Sequence, residues 1–150
     1  MTVINGSALL RAAPLSPMLA TKEREHGVSH GLSEAGYDLR IKQGVTLTPE
    51  SRFTLASTVE RFQMPPDLIG IVHDKSTWAR QGLSVFNTVI ESGWEGWLTL
   101  ELVYHGNGTL RIPAGAGIAQ VIFHRIEEPA NYSGKYQGQA DMPVPAIMEG

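Results

Sequence analysis

The stretch Glu91–Tyr104, ESGWEGWLTLELVY, decides how the chain is read. Taken as a strand from Trp97 onward, it sends successive side chains to opposite faces. Leu98, Leu100, Leu102 and Tyr104 share one face; Trp97, Thr99, Glu101 and Val103 share the other. The first set is a core face. The second places a carboxylate in the middle of an apolar ribbon. Glu101 is then either an edge-strand glutamate turned to water or a partly buried acid with a raised pKa, able to act as a general base.

Similar runs occur on both sides of that stretch. From Tyr37 onward the chain offers YDLRI, GVTLT, RFTLAST, LIGIVHD, LSVFNTVI, TLRIP and IAQVIFHRI. Turn signals such as TPES, MPPD, HGNG and PAGAG separate most of them. Many short strands with frequent turns predict a mainly β, antiparallel-rich sandwich or barrel-like fold. Two segments read as helical. Ser7–Ala13 precedes Pro14, with Asn5 or Ser7 as cap, and KSTWARQGL (Lys75–Leu83) makes a helical turn ending at Gly82. The tail ADMPVPAIMEG is expected to be loose unless a partner orders it.

Composition narrows the function classes. A 150-residue chain with 42% hydrophobic and 18% charged residues suits one globular domain, expected over residues 1–150. Net charge is −3 and no block of Lys or Arg occurs, which argues against a nucleic-acid partner but leaves room for a local anion pocket. With no cysteine, disulfides and thiolate zinc sites are excluded. No window approaches the roughly 18 apolar residues needed to span a bilayer, so no membrane partner is expected. The start, MTVINGSALLRAAPLSP, does not read as a signal peptide, so a cytoplasmic location is expected.

Chemistry concentrates in a few places. HDKSTWARQG (His73–Gly82) sets two cations and two hydroxyls within one short turn, with Arg80 one helical turn beyond Ser76. Such a turn could cradle phosphate, or it could be a solvated charge cluster. Asp38, in AGYDLR, follows a flexible glycine at a strand mouth and could cap or tighten that turn. GAGIAQ (Gly115–Gln120) reads as a glycine-rich turn. His26 and His30 have i, i+4 spacing, but Gly27 and Gly31 disfavour a helix and no third ligand follows, so no metal site is expected.

Five segments together resemble the dCTP deaminase and dUTPase superfamily. They are AGYDLR (Ala35–Arg40), KSTWARQGL (Lys75–Leu83), VIESGWEGWLTLEL (Val89–Leu102), GIAQVIF (Gly117–Phe123) and YSGKYQGQ (Tyr132–Gln139). They occur in the family's order and at similar spacing, from about Gly31 to Gln139. The resemblance implies a distorted jelly-roll-like β-barrel of the dUTPase type with a few short helices. It also implies a homotrimer whose active sites lie between subunits. Residues 1–30 would form an N-terminal segment, and 132–150 a C-terminal lid and tail.

Within the superfamily, the chain is most similar to dCTP deaminases, including bifunctional deaminase–dUTPases. The resemblance implies Glu101 as catalytic base, with Ser76 and Arg80 as further catalytic residues. It places Lys75, Thr77, Asn87, Thr88, Glu91, Trp94 and Gln120 against the substrate, and Tyr132, Lys135, Tyr136 and Gln139 in a lid over the triphosphate. The implied reaction converts dCTP to dUTP and ammonia. Mg²⁺ would enter on the triphosphate and no zinc is involved; dUTP is a second candidate substrate and dTTP a candidate effector. Three departures bear on activity: AGYDL and IAQ resemble dUTPases slightly more than deaminases that only deaminate, and two single residues differ. Glu91 stands where the family usually has Asp, which in dUTPases helps position the attacking water, and Asn87 stands where deaminases often have Ala. A bifunctional deaminase–dUTPase, a dUTPase, or a silent nucleotide-binding regulator are the alternatives.

Overall fold

The computed structural model describes residues 2–150. In chain order it runs β1 (Val3–Ile4), α1 (Gly6–Ala12), β2 (Leu15–Ser16), β3 (Lys22–Glu25), β4 (Val28–Leu32), β5 (Tyr37–Arg40), β6 (Val45–Leu47) and β7 (Phe53–Gln63). It continues with β8 (Leu68–Asp74), α2 (Ser76–Ala79), β9 (Leu83–Val85), β10 (Val89–Ile90), β11 (Glu95–Tyr104), β12 (Leu110–Ile112) and β13 (Gly117–Arg125).

The strands form curled antiparallel sheets. One follows the order β10-β8-β13-β5-β4-β3, with β1 added to β13; a second follows β2-β7-β11-β9; and β12 pairs with β6. An antiparallel bridge from Ile41 to Thr58 ties the two larger sheets together. Both feed one core. Tyr37 and Leu39 of β5, Phe62 of β7, Leu100 and Leu102 of β11, and Val121 and Phe123 of β13 are all buried within it. The mainly β fold is as the sequence predicts.

The alternation on β11 holds. Leu98, Leu100, Leu102 and Tyr104 are buried, while Trp97, Glu101 and Val103 are half-buried. Burying Leu100 and Leu102 contributes about 1.5–3 kcal/mol each, which fixes the face that Glu101 presents. A β-bulge between Trp97 and Thr99 interrupts the pairing with β7. Thr99 is buried on the Glu101 side.

Three elements differ from the sequence reading. Strand β7 runs on through VERFQ, because Glu60 is buried against Arg40 rather than exposed. LSVFNTVI breaks into β9 and β10 around Phe86, whose carbonyl accepts a bond from Thr88 N–H at 3.0 Å. The N-terminal segment contributes strands as well as α1. Strands β3 and β4 form a hairpin whose turn, His26-Gly27, has positive φ at both positions (56° and 76°). That backbone matches the twist of the flanking strands.

Candidate active site

Glu101 lies mid-way along β11, on the face opposite Leu100 and Leu102. Its cross-strand neighbour on β7 is Leu55. On its other side, Phe86 N–H donates to the Glu101 carbonyl at 3.1 Å. The acid is therefore flanked by apolar residues on both sides. Burial raises its pKa above the ordinary 4.5, and a hydrogen bond from its own backbone N–H only partly opposes this.

The acid opens onto a cavity of about 560 Å³, within the range of small-molecule sites. Phe53 and Leu55 of β7, with Leu98 and Thr99 of β11, form one wall. Thr88, Val89, Ile90, Glu91 and Trp94, on the approach to β11, form a second, and the C-terminal segment adds Tyr132, Tyr136, Gln139, Val144 and Ala146. The charged groups among the described lining residues are Glu91 and Glu101. No lysine or arginine is among them.

The turn before β11 is shaped to receive that C-terminal segment. Gly93 (φ 74°) and Gly96 (φ 139°) adopt backbone conformations that favour glycine. A Cβ at Gly93 would lie 2.7 Å from Asn131 Cα, and one at Gly96 would lie 2.6 Å from Gln139 N. The glycines of the GWEG turn are thus required by backbone passing directly over them. Trp97 N–H donates to the Gln139 carbonyl at 3.2 Å. Gln139 Nε2 donates to Trp97 O and to Thr99 Oγ1, each at 2.8 Å, and Trp94 Nε1 donates to the Tyr136 carbonyl at 2.6 Å.

The tail is tied down from Gln139 as far as Ile147, not loose as its sequence predicts. Val144 N–H donates to Thr99 Oγ1 at 3.0 Å and Ile147 N–H to Tyr136 Oη at 3.0 Å, while Asp141 pairs with Lys42. These are mostly backbone donors meeting acceptors on β11 and at Tyr136, a pairing that side-chain composition does not advertise. Thr99 is the residue that sequence reasoning passed over. Its place two residues from Glu101 on the same face was the available signal.

The residues expected at the site fall into two groups. Thr88, Glu91, Trp94, Glu101, Tyr132, Tyr136 and Gln139 come together around the cavity. Ser76, Thr77 and Arg80 are exposed on and just after α2 and do not line it. Lys75 Nζ turns inward to Asp38 Oδ2 at 2.7 Å and Ser29 Oγ at 2.9 Å. Gln120 Nε2 donates to Ser33 Oγ at 2.8 Å, Asn87 is exposed beside the Phe86 turn, and Lys135 Nζ lies 5.4 Å over the Tyr136 ring. Among the described residues, no group of three His, Cys, Asp or Glu is placed to hold a metal ion, and no helix is long and apolar enough to cross a membrane.

A family model described as dCTP deaminase-like matches residues 19–126. A protein named dCTP deaminase from Helicobacter pylori (strain G27) is 32% identical over 170 aligned positions, covering 90% of each chain. Another of that name, from Campylobacter lari, is 35% identical over 155 positions, covering 81% of this chain and 83% of its own. Among solved structures, EIAV dUTPase matches with a TM-score of 0.59 at 21% identity, covering 81% of this chain and 96% of that one. A dUTPase from phage phi11 of S. aureus matches with a TM-score of 0.56 at 19% identity, covering 77% and 88%. The structural likeness establishes a dUTPase-type fold, and the family model with the sequence relatives establishes the lineage: the chain belongs to the dCTP deaminase-like family.

Proposed function

We propose that this protein deaminates dCTP, adding water at C4 of the cytosine ring and releasing dUTP and ammonia. The observation that carries this reading is Glu101, a half-buried carboxylate with no side-chain partner on the wall of a 560 Å³ cavity. The name of the relatives, dCTP deaminase, supports the choice of substrate.

In the proposed reaction the Glu101 carboxylate takes a proton from water as the oxygen bonds to C4, and passes that proton to N3. The resulting C4 hydroxyl then gives up its proton through Glu101 to the exocyclic amine. The C4–N4 bond breaks, ammonia leaves, and C4 becomes a carbonyl. General acid–base help of this kind is worth about 10²–10⁴-fold; orientation and electrostatics within the cavity supply the rest. The raised pKa makes Glu101 a better proton acceptor once ionised, and its acid form a usable donor.

A triphosphate brings several negative charges to a cavity lined by two carboxylates, so its counter-charge must come from elsewhere. We read Mg²⁺ as travelling with the nucleotide. The exposed Glu91 carboxylate, a hard oxygen donor, fits water bound to such an ion, and the ion would supply charge neutralisation. Ser76, exposed on α2, and Arg80, exposed just after it, are read as reaching the cavity of a neighbouring subunit in a homotrimer. Phe53 and Val89 of the cavity lining, 56% and 51% exposed, support this together with Phe86, 49% exposed in the turn before Thr88, because exposed apolar side chains mark contact surfaces. Mixing tests it. If Glu101 and Arg80 serve one site from different chains, E101Q and R80A, each inactive alone, recover about a quarter of wild-type activity after co-refolding in equal amounts. No recovery refutes shared sites.

The dUTPase-type fold makes a bifunctional enzyme that also hydrolyses dUTP to dUMP and pyrophosphate the second reading. Glu91 lines the cavity, but its extra methylene relative to the family's Asp tells against efficient placement of the attacking water. Incubation with Mg²⁺ and dCTP, then dUTP, with products resolved by ion exchange, separates them. dUTP from dCTP supports the deaminase, dUMP from dCTP the bifunctional form, and dUMP only from dUTP a dUTPase. No product from either leaves a nucleotide-binding regulator and overturns the enzymatic reading.

A further inference from the structure

Helix α2 is a single turn, Ser76–Ala79. One turn gains too few intrahelical bonds to offset the entropy of nucleation, so its position must be imposed by tertiary contacts. Two residues impose it. Lys75, just before the helix, donates to Asp38 Oδ2 of β5 at 2.7 Å and to Ser29 Oγ of β4 at 2.9 Å. Trp78 Nε1 donates to the Gly117 carbonyl at the start of β13 at 2.6 Å. Gly117 is itself required there, because a Cβ on it would lie 2.0 Å from the Ser29 carbonyl oxygen. The helix is clamped inward at Lys75 and Trp78, while Ser76, Thr77 and Arg80 are left exposed.

We propose that Lys75 is a positioning residue: held by Asp38 and Ser29, it fixes the outward face of α2 for the reaction rather than gripping phosphate. This rests on the deaminase reading. The Lys75 and Asp38 side chains are only 11% and 6% exposed. Swinging the ammonium out to a triphosphate would strand the Asp38 carboxylate in a buried site without its partner, a strongly unfavourable exchange. Asp38 of the AGYDLR segment thereby acts on the site from a distance, through the lysine.

The test compares K75M, D38N and the K75M/D38N double variant in the full chain, measuring kcat and KM for Mg²⁺–dCTP, melting temperature, and hydrogen exchange of residues 75–82. Each single variant is expected to lower kcat by about tenfold or more with KM within about threefold. The double variant is no slower than the slower single one, because the two substitutions act on one interaction. Should D38N fail to fold, S29A, which removes one hydrogen bond, gives a smaller kcat loss with the same unchanged KM. A rise in KM for K75M with kcat intact and D38N silent overturns the proposal in favour of phosphate contact. A fall in melting temperature with both kinetic constants unchanged overturns it in favour of a purely structural pair. If wild type releases no ammonia from dCTP, the deaminase reading alone fails. Exchange and dCTP binding then decide between holding and gripping: faster exchange confined to residues 75–82 in K75M with dCTP affinity within about threefold supports the positioning claim, and weaker dCTP binding with unchanged exchange sinks it.

Discussion

Glu60 on β7 and Glu101 on β11 are both raised in pKa by burial, on strands that pair with each other. Glu60 is fully buried and receives Arg40 Nε at 3.0 Å and Arg40 N–H at 3.1 Å. Glu101 has no cation and faces open space. The first carboxylate has its hydrogen-bonding capacity consumed by the fold; the second keeps it for something that enters from outside. Burial alone therefore does not single out a candidate base. Burial without a side-chain partner, beside a cavity, is what makes Glu101 the proposed one.

The comparison can be broken from either side. Glu60→Gln removes an acceptor and the counter-charge from the partly exposed Arg40, and is expected to cost about 1–3 kcal/mol of stability. Urea unfolding measures this, and the folded fraction should keep its deaminase kcat. Stability within error of wild type would remove the structural role given to the pair. Glu101→Gln should do the reverse. It is expected to lower kcat by at least about 10²-fold, about 2.7 kcal/mol in barrier, while nucleotide still binds. Its melting temperature should not fall at pH 7. A folded-state pKa raised above the unfolded value means that stability is lost as pH rises above the ordinary carboxylate range, so removing the titrating group costs no stability at pH 7.

How much of this was legible follows from what each residue's neighbours reveal. Strand β11 announced itself, because two-residue alternation survives in Leu98, Leu100 and Leu102 whatever packs against them. Glu60 did not, since a charge inside VERFQ reads as surface until Arg40, twenty positions earlier in the chain, is seen beside it. The β3–β4 hairpin was hidden by KERE, an all-polar strand whose only clue was the glycine after His26. The cavity residues on β11 and its approach were readable from resemblance in motif. That α2 lies apart from them, and that the tail docks on Thr99, are three-dimensional facts with no local signature.

Smaller effects sharpen the contrast. Thr99→Val removes the acceptor shared by Gln139 and Val144. Two hydrogen bonds at about 0.5–1.5 kcal/mol each should loosen the docked C-terminal segment enough to raise KM for dCTP by about tenfold, with melting temperature nearly unchanged. An unchanged KM would mean that docking on Thr99 has no part in holding substrate. His30 gives the smallest effect. It is 2% exposed, and both ring nitrogens lack a hydrogen-bond partner. Burial first, then Arg40, lowers its pKa below 6.5, against the opposing pull of Glu25, Glu23 and Asp38. Its contribution to stability is therefore present above pH 6.5 and lost as pH falls through the lowered value. In His30→Leu the drop in melting temperature between pH 7 and pH 5 should shrink by a few degrees, given roughly 2–4 °C per kcal/mol at this length. An identical drop in both proteins would free His30 of that role.

The ionisation of Glu101 is open to direct measurement through the pH dependence of kcat/KM for dCTP, followed as ammonia release. A base that must be ionised, and whose pKa burial has raised, predicts an acid-side fall in rate with its inflection above 4.5 in wild type, and no such inflection in the residual activity of Glu101→Gln. A wild-type profile flat across that range, or the same inflection persisting in Glu101→Gln, would contradict the assignment.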